Sequence, residues 1–138
     1  MLDQYWKFHL FGATFSSQAQ ARHYAFEQWE PAPAEPVSDA QYRAWEDRNP
    51  SWRLAEELGF YMDADFVELV DDFGYVQAQI RSESERLALA ARGCGFSHYI
   101  LVGEHAICGD RQSPSDDAVK RLPQSTATVQ YLGQYNES

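Results

Sequence analysis

The sequence predicts an α+β domain, with helices packed on one face of a mostly antiparallel sheet. Three observations predict it. Runs rich in aromatic and β-branched residues recur at 5–11, 98–102 and 126–135, at strand length. Helical patterns with capping residues at their starts are grouped between them, in the order strand, helices, strand, helix, strands. The chain of 138 residues, 44% hydrophobic and 14% aromatic, suits one domain spanning 1–138 that folds without disulfides.

In "YWKFHLF" (5–11) the alternation of Trp6, Phe8 and Leu10 with Tyr5, Lys7, His9 and Phe11 gives a strand. Ser17 and Gln20 form a capping-box pair for a helix whose buried stripe is Ala21, Tyr24, Ala25 and Trp29, closed by Glu30 before Pro31. "EPAPAEPVSD" (30–39) is a Pro-rich loop, and "AQYRAWEDRN" a short helix. In "NPSWRLAEELG" Pro50 suits a first helical turn and Gly59 the position past the end. Leu54 and Leu58 then face inward, while Glu56 and Glu57 do not.

"GFYMDADFVELV" reads as a strand or a strand plus turn, with Phe60, Met62 and Ala64 inward and Tyr61, Asp63 and Asp65 outward. "VQAQI" (76–80) alternates and reads as a second short strand. Ser82 and Glu85 cap a helix through "ESERLALAAR", stopped by Gly93. "HYILV" (98–102) is a strand, followed by "HAI" across a Gly103-Glu104 turn. Residues 109–125 are loop-rich, and 126–135 form the last strand.

The formal net charge is −10, and all of it comes from one third of the chain. Residues 27–72 hold 13 carboxylates against Arg43, Arg48 and Arg53, whereas the remainder balances at 8 acids and 8 bases. Such a field repels nucleic acid and anionic membranes and attracts basic proteins. The plainer alternative is an acidic surface that only confers solubility. No apolar run reaches the ~20 residues of a membrane span, and the start does not resemble a signal peptide. Cys94 and Cys108 form neither a CxxC pair nor a disulfide framework, so a cytoplasmic protein with reduced thiols is expected.

The densest acidity lies in "LGFYMDADFVELVDDFGYV" (58–76), with Asp63, Asp65, Glu68, Asp71 and Asp72 among five aromatic residues and no base. "DADFV" matches a short phosphatase pattern in which Asp63 would be the nucleophile and Asp65 the acid–base group. That chemistry wants the motif at the end of a parallel strand and a later Lys, for which only Lys120 is available. The EF-hand pattern fails at Val67 and Glu68, and His9, His23, His98 and His105 lack metal-ligand spacing. His9 and His98 are expected as strand residues with local hydrogen bonds. No cofactor or metal is expected. Acids interleaved with aromatics suit a protein interface, in which rings anchor and carboxylates steer and pair with Arg or Lys.

The aromatic first strand running into "FGATFSS", and the later "AEELGFYMDADFVE", resemble the immunity protein 22 group of bacterial polymorphic toxin systems. The resemblance covers residues 5–108. Gly59, Tyr61, Asp63, Asp65, Phe66 and Glu68 carry it, with Met62 as an extra residue between Tyr61 and Asp63. It implies a non-enzymatic inhibitor that binds a cognate toxin, a DNase or RNase domain with a basic surface. The expected toxin-binding residues are Asp63, Asp65, Glu68, Asp71, Asp72, Glu56, Glu57, Tyr61 and Phe66. No direct nucleic-acid or membrane contact is expected, and a homodimer is compatible with the sequence. The alternatives are a small Mg-dependent phosphatase or hydrolase using Asp63 and Asp65, and an acidic adaptor domain.

Overall fold

Two nearly continuous apolar runs become the middle strands of the main sheet. The computed structural model describes residues 7–111 and 121–137, so Tyr5, Trp6 and Lys120 lie outside the described residues. The elements are β1 (Lys7–Ala13), α1 (Gln18–Ala25), α2 (Asp39–Arg48), α3 (Arg53–Leu58), β2 (Phe60–Met62), β3 (Val67–Val70), α4 (Phe73–Ala78), α5 (Glu83–Arg92), β4 (His98–Gly103), β5 (Ile107–Asp110) and β6 (Gln130–Asn136). Short 3₁₀ turns at Ala64–Phe66 and Glu104–Ala106 precede β3 and β5. Four strands pair in the order β3-β4-β1-β6, and β2 pairs with β5. Among the described residues these pairings are antiparallel, in line with the mostly antiparallel sheet that the sequence predicts.

The helices are not confined to one face. Ile100, Val102, Phe11 and Ala13 face a core that includes Tyr24, Ala25, Leu54, Leu58 and Phe60, under α1, α3 and β2. Their strand neighbours Tyr99, Leu101, Phe8 and Leu10 face a second core with Val76, Ile80, Leu89 and Leu132, under α4 and α5. The alternation of a strand thus serves two apolar faces, and both must be covered to keep them from water. Gly12 makes room on the second face: a Cβ there would meet the Phe96 ring at 2.4 Å. His9 and His98 are strand residues, as expected, and both are buried. The expected local bond is present only between His98 and Ser97; His98 also bonds to Gln18, and His9 Nδ1 lies 2.9 Å from the hydroxyl of Tyr131, both partners distant in sequence.

Several boundaries differ from the sequence reading, each for a local reason. Helix α1 stops at Ala25, because Phe26 turns extended and Gln28 makes a paired backbone bridge with Ser51. Trp29 therefore leaves the helical stripe and is 61% exposed rather than buried. Ser17 does cap Gln20, but the Gln20 side chain accepts from Ser16 instead of closing the box. Pro50 is outside α3, whose N-cap is Trp52. The buried Trp52 indole donates to the Ala25 carbonyl at 2.8 Å, and its backbone N–H donates to Glu56, which draws residues 51–52 out of the helix. Gly59 ends α3 in the left-handed region at φ 80°, the role expected of it.

The predicted strand 76–80 is instead the last part of α4, a turn at Gln79 and a single antiparallel bridge from Ile80 to Glu137. Asp72 Oδ1 accepts from the Gly74 N–H and starts the helix. Val76 and Ile80, four residues apart, are both buried, so their spacing is helical rather than alternating. Ser82 caps α5 and Gly93 ends it as predicted. Residues 105–106 belong to a 3₁₀ turn, Gly109 and Asp110 to β5, and β6 starts at Gln130 rather than 126. Asp39 belongs to α2, so the Pro-rich loop ends at Ser38, which forms a complete capping box with Gln41.

That box matters because α2 buries none of its residues. A ten-residue helix with no fully buried residue is marginal, so its caps contribute strongly to whether it forms. Ser38→Ala is expected to destabilise α2 locally by about 1 kcal/mol. Amide exchange in residues 39–48 should accelerate several-fold while the global melting temperature stays put.

Candidate functional site

The acidic stretch is built outward from the end of α3. Arg121 grips this junction: it makes a two-point ion pair with Asp110, at 2.7 and 3.0 Å, and donates to the Leu58 and Gly59 carbonyls. Its guanidinium lies 4.0 Å from the Phe60 ring centre. Arg111 donates to the Phe60 carbonyl and stacks 4.6 Å over Tyr61, so one face of that ring is already occupied.

Next, the Asp63 N–H donates to Ala106 at 2.7 Å, and its Oδ1 accepts from the Asp65 N–H at 3.0 Å. This Asx turn leaves Asp63 half-buried and turns Asp65 and Phe66 outward before Val67 re-enters the sheet. Met62 and Ala64 are half-buried rather than fully inward.

Asp65, Phe66 and Glu68 line an open groove of about 430 Å³. Its other walls are Lys7 and Phe8 of β1, Val67 of β3, Leu101 and Gly103 of β4, and Glu137 after β6. The groove crosses the end of the sheet, where β1 pairs with β6 at Lys7 and Asn136 and with β4 at Phe8 and Gly103. Its floor is apolar and its rim carries three carboxylates against one ammonium. A volume of ~300–1,000 Å³ is typical of pockets that take small ligands or partner side chains. Glu68 also accepts the Tyr75 hydroxyl at 2.5 Å; that bond holds the Tyr75 pKa above the usual tyrosine value.

The other expected residues serve different places. Asp71 is exposed, and Asp72 is exposed while capping α4. Glu56 is exposed and closes the start of α3 on Trp52. Glu57 corrects the expectation that it faces away from the core: its side chain is only 19% exposed. It accepts from Tyr24 (2.9 Å), Thr126 (2.8 Å), Thr128 (2.9 Å) and Arg53 (2.9 Å), and so joins α1, α3 and the lead into β6.

The sequence reading missed Lys7, Phe8, Leu101 and Glu137, which reach the groove only through strand pairing. It also missed an aromatic set outside the groove, in which exposed Trp29 and Tyr42 both contact half-buried Trp45. A signal for that set existed: α2 has two aromatics and no aliphatic stripe to bury.

The phosphatase pattern is not in the setting its chemistry requires. Asp63 follows β2, a strand of a two-stranded antiparallel pair, and one of its carboxylate oxygens is held by the Asx turn. Among the described residues no three His, Cys, Asp or Glu side chains are grouped to hold a metal ion. Cys94 and Cys108 are exposed free thiols. Among the described residues no helix is long and apolar enough to cross a membrane. Comparisons of the chain with protein families, curated proteins and solved structures give no match.

Proposed function

We propose that this chain is an inhibitor of the immunity-protein kind, which binds a basic toxin, a DNase or RNase domain, and neutralises it without chemistry of its own. The groove carries the reading: three carboxylates rim an apolar floor open to solvent, a receptor for an Arg or Lys side chain whose stem packs on Phe8 and Phe66. The charge agrees with it, since an excess of −10 steers a basic partner toward the chain. The local likeness of Gly59, Asp63, Asp65, Phe66 and Glu68 to the immunity protein 22 group gives further support. In this reading the protein acts in the cytoplasm, where both exposed thiols stay reduced.

The test is co-expression with the protein encoded beside it on the chromosome, scoring survival and co-purification. Rescue from toxicity together with a stable complex is the expected result. Toxicity without rescue, or no complex, would overturn the reading. A metal-dependent phosphatase activity lost in Asp63→Asn would replace it with the hydrolase alternative.

A further inference from the structure

We infer that α2 and the Trp29 loop form a second docking face, one that takes an arginine-rich segment of a basic protein. The inference concerns residues remote in sequence from the groove and does not depend on what the groove binds. Three rings form a continuous set, with half-buried Trp45 between exposed Trp29 and Tyr42. Trp29 and Trp45 lie 6.1 Å apart, and Tyr42 and Trp45 lie 5.5 Å apart. Trp29 is 61% and Tyr42 44% exposed. None of the three rings belongs to either core, and α2, which carries Tyr42 and Trp45, has no fully buried residue.

The set is held in place rather than loosely attached. The Trp45 indole N–H donates to the Glu30 carbonyl at 3.0 Å, and Asn49 accepts from the Glu30 N–H at 2.6 Å. Arg48 pairs with the Glu30 carboxylate at 3.1 Å, which ties the end of α2 to the Trp29 loop. These bonds fix Trp45 and join α2 to the loop that carries Trp29, which lowers the entropy cost of presenting the rings to a partner.

Charge selects the occupant. Residues 27–48 carry six acids against Arg43 and Arg48, and Glu30 already engages Arg48. Asp39 and Glu46 stand three and four positions from Tyr42, so they flank the same helix face. Exposed Trp and Tyr faces bordered by carboxylates attract a cation, and a planar guanidinium stacks where an ammonium only points. A second copy of this chain would bring the same acids face to face, and nucleic acid or an anionic membrane would be repelled.

The probe is a labelled oligo-arginine peptide added to the full chain, followed by anisotropy and tryptophan fluorescence, with oligo-lysine as the comparison. Oligo-arginine is expected to bind about tenfold more tightly than oligo-lysine and to change the tryptophan emission. The double variant Trp29→Ala/Tyr42→Ala should weaken it by about tenfold or more, while Trp29→Phe/Tyr42→Phe retains most of the binding. The second pair keeps the test valid if the alanine variant loses α2 by circular dichroism. No binding, equal binding of both peptides, or unchanged binding in the alanine variant with α2 intact would overturn the inference. So would loss in Asp65→Asn/Glu68→Gln but not in the ring variants, since that result assigns the cation to the groove. Loss confined to the ring variants leaves the groove reading to its own co-expression test.

Discussion

Glu57→Ala is expected to lower the unfolding free energy by about 3 kcal/mol, because it removes the acceptor for donors from three parts of the chain. Hydrogen bonds to a charged group each contribute ~1.5–3 kcal/mol, but four on one carboxylate share a single desolvation cost and do not add. The hydroxyl of Tyr24, a residue only 6% exposed, would lose its carboxylate partner, which is the costlier half of the change. Burial alone pushes the Glu57 pKa up, but the bonds from Arg53, Thr126, Tyr24 and Thr128 outweigh it and hold the carboxyl below its ordinary value of 4.5. A carboxyl depressed in the folded state contributes stability that is complete above the unfolded pKa and is lost as pH falls through the folded one. Urea unfolding of the parent should therefore weaken below about pH 4.5, and Glu57→Gln should flatten that dependence while costing less at neutral pH than alanine. Matching midpoints for parent and Glu57→Ala across this range would remove Glu57 as the junction of α1, α3 and β6.

The sequence makes the core of this fold legible where periodicity is local, and hides what depends on pairing. The runs at 7–13 and 98–103 lack polar alternation, and that is the trace of a sheet covered on both sides. Strands apolar on both sides call for helices on both faces, whereas the sequence reading places them on one. Val76 and Ile80 fit a period of two or of four equally well; the Asp72 cap decides for a helix. Trp29 fits the α1 stripe by spacing, but the bridge between Gln28 and Ser51 ends the helix first, and no pattern near Trp29 announces a contact with residue 51.

The candidate site divides the same way. Asp65, Phe66 and Glu68 come from one short segment, so their shared exposure is readable from the Asx turn and the start of β3. Lys7 and Glu137 join them only because β1 and β6 pair at the two ends of the chain. Glu57 looks like its neighbour Glu56 in sequence. It differs because Thr126 and Thr128, about seventy positions later, fold back onto it.

Reversing both groove acids, Asp65→Lys with Glu68→Lys, should cut affinity for the co-purified basic partner by about 100-fold or more, since each places like charges against each other. The groove rim would then hold three ammonium groups against Glu137, so a cation that entered the parent would be expelled. Both positions are exposed, and Glu68 gives up only its bond to the exposed Tyr75, so the melting temperature should move little. The milder pair Asp65→Asn/Glu68→Gln separates steering from contact. If the acids mainly guide encounter, its association rate falls and the salt dependence of that rate flattens, with dissociation unchanged. If a partner guanidinium is seated between them, dissociation accelerates instead, because a buried charge loses its counter-ion. Surface plasmon resonance at two ionic strengths distinguishes the two. Unaltered association and dissociation in the double reversal would place the interface elsewhere on the chain and leave the groove without a role in inhibition.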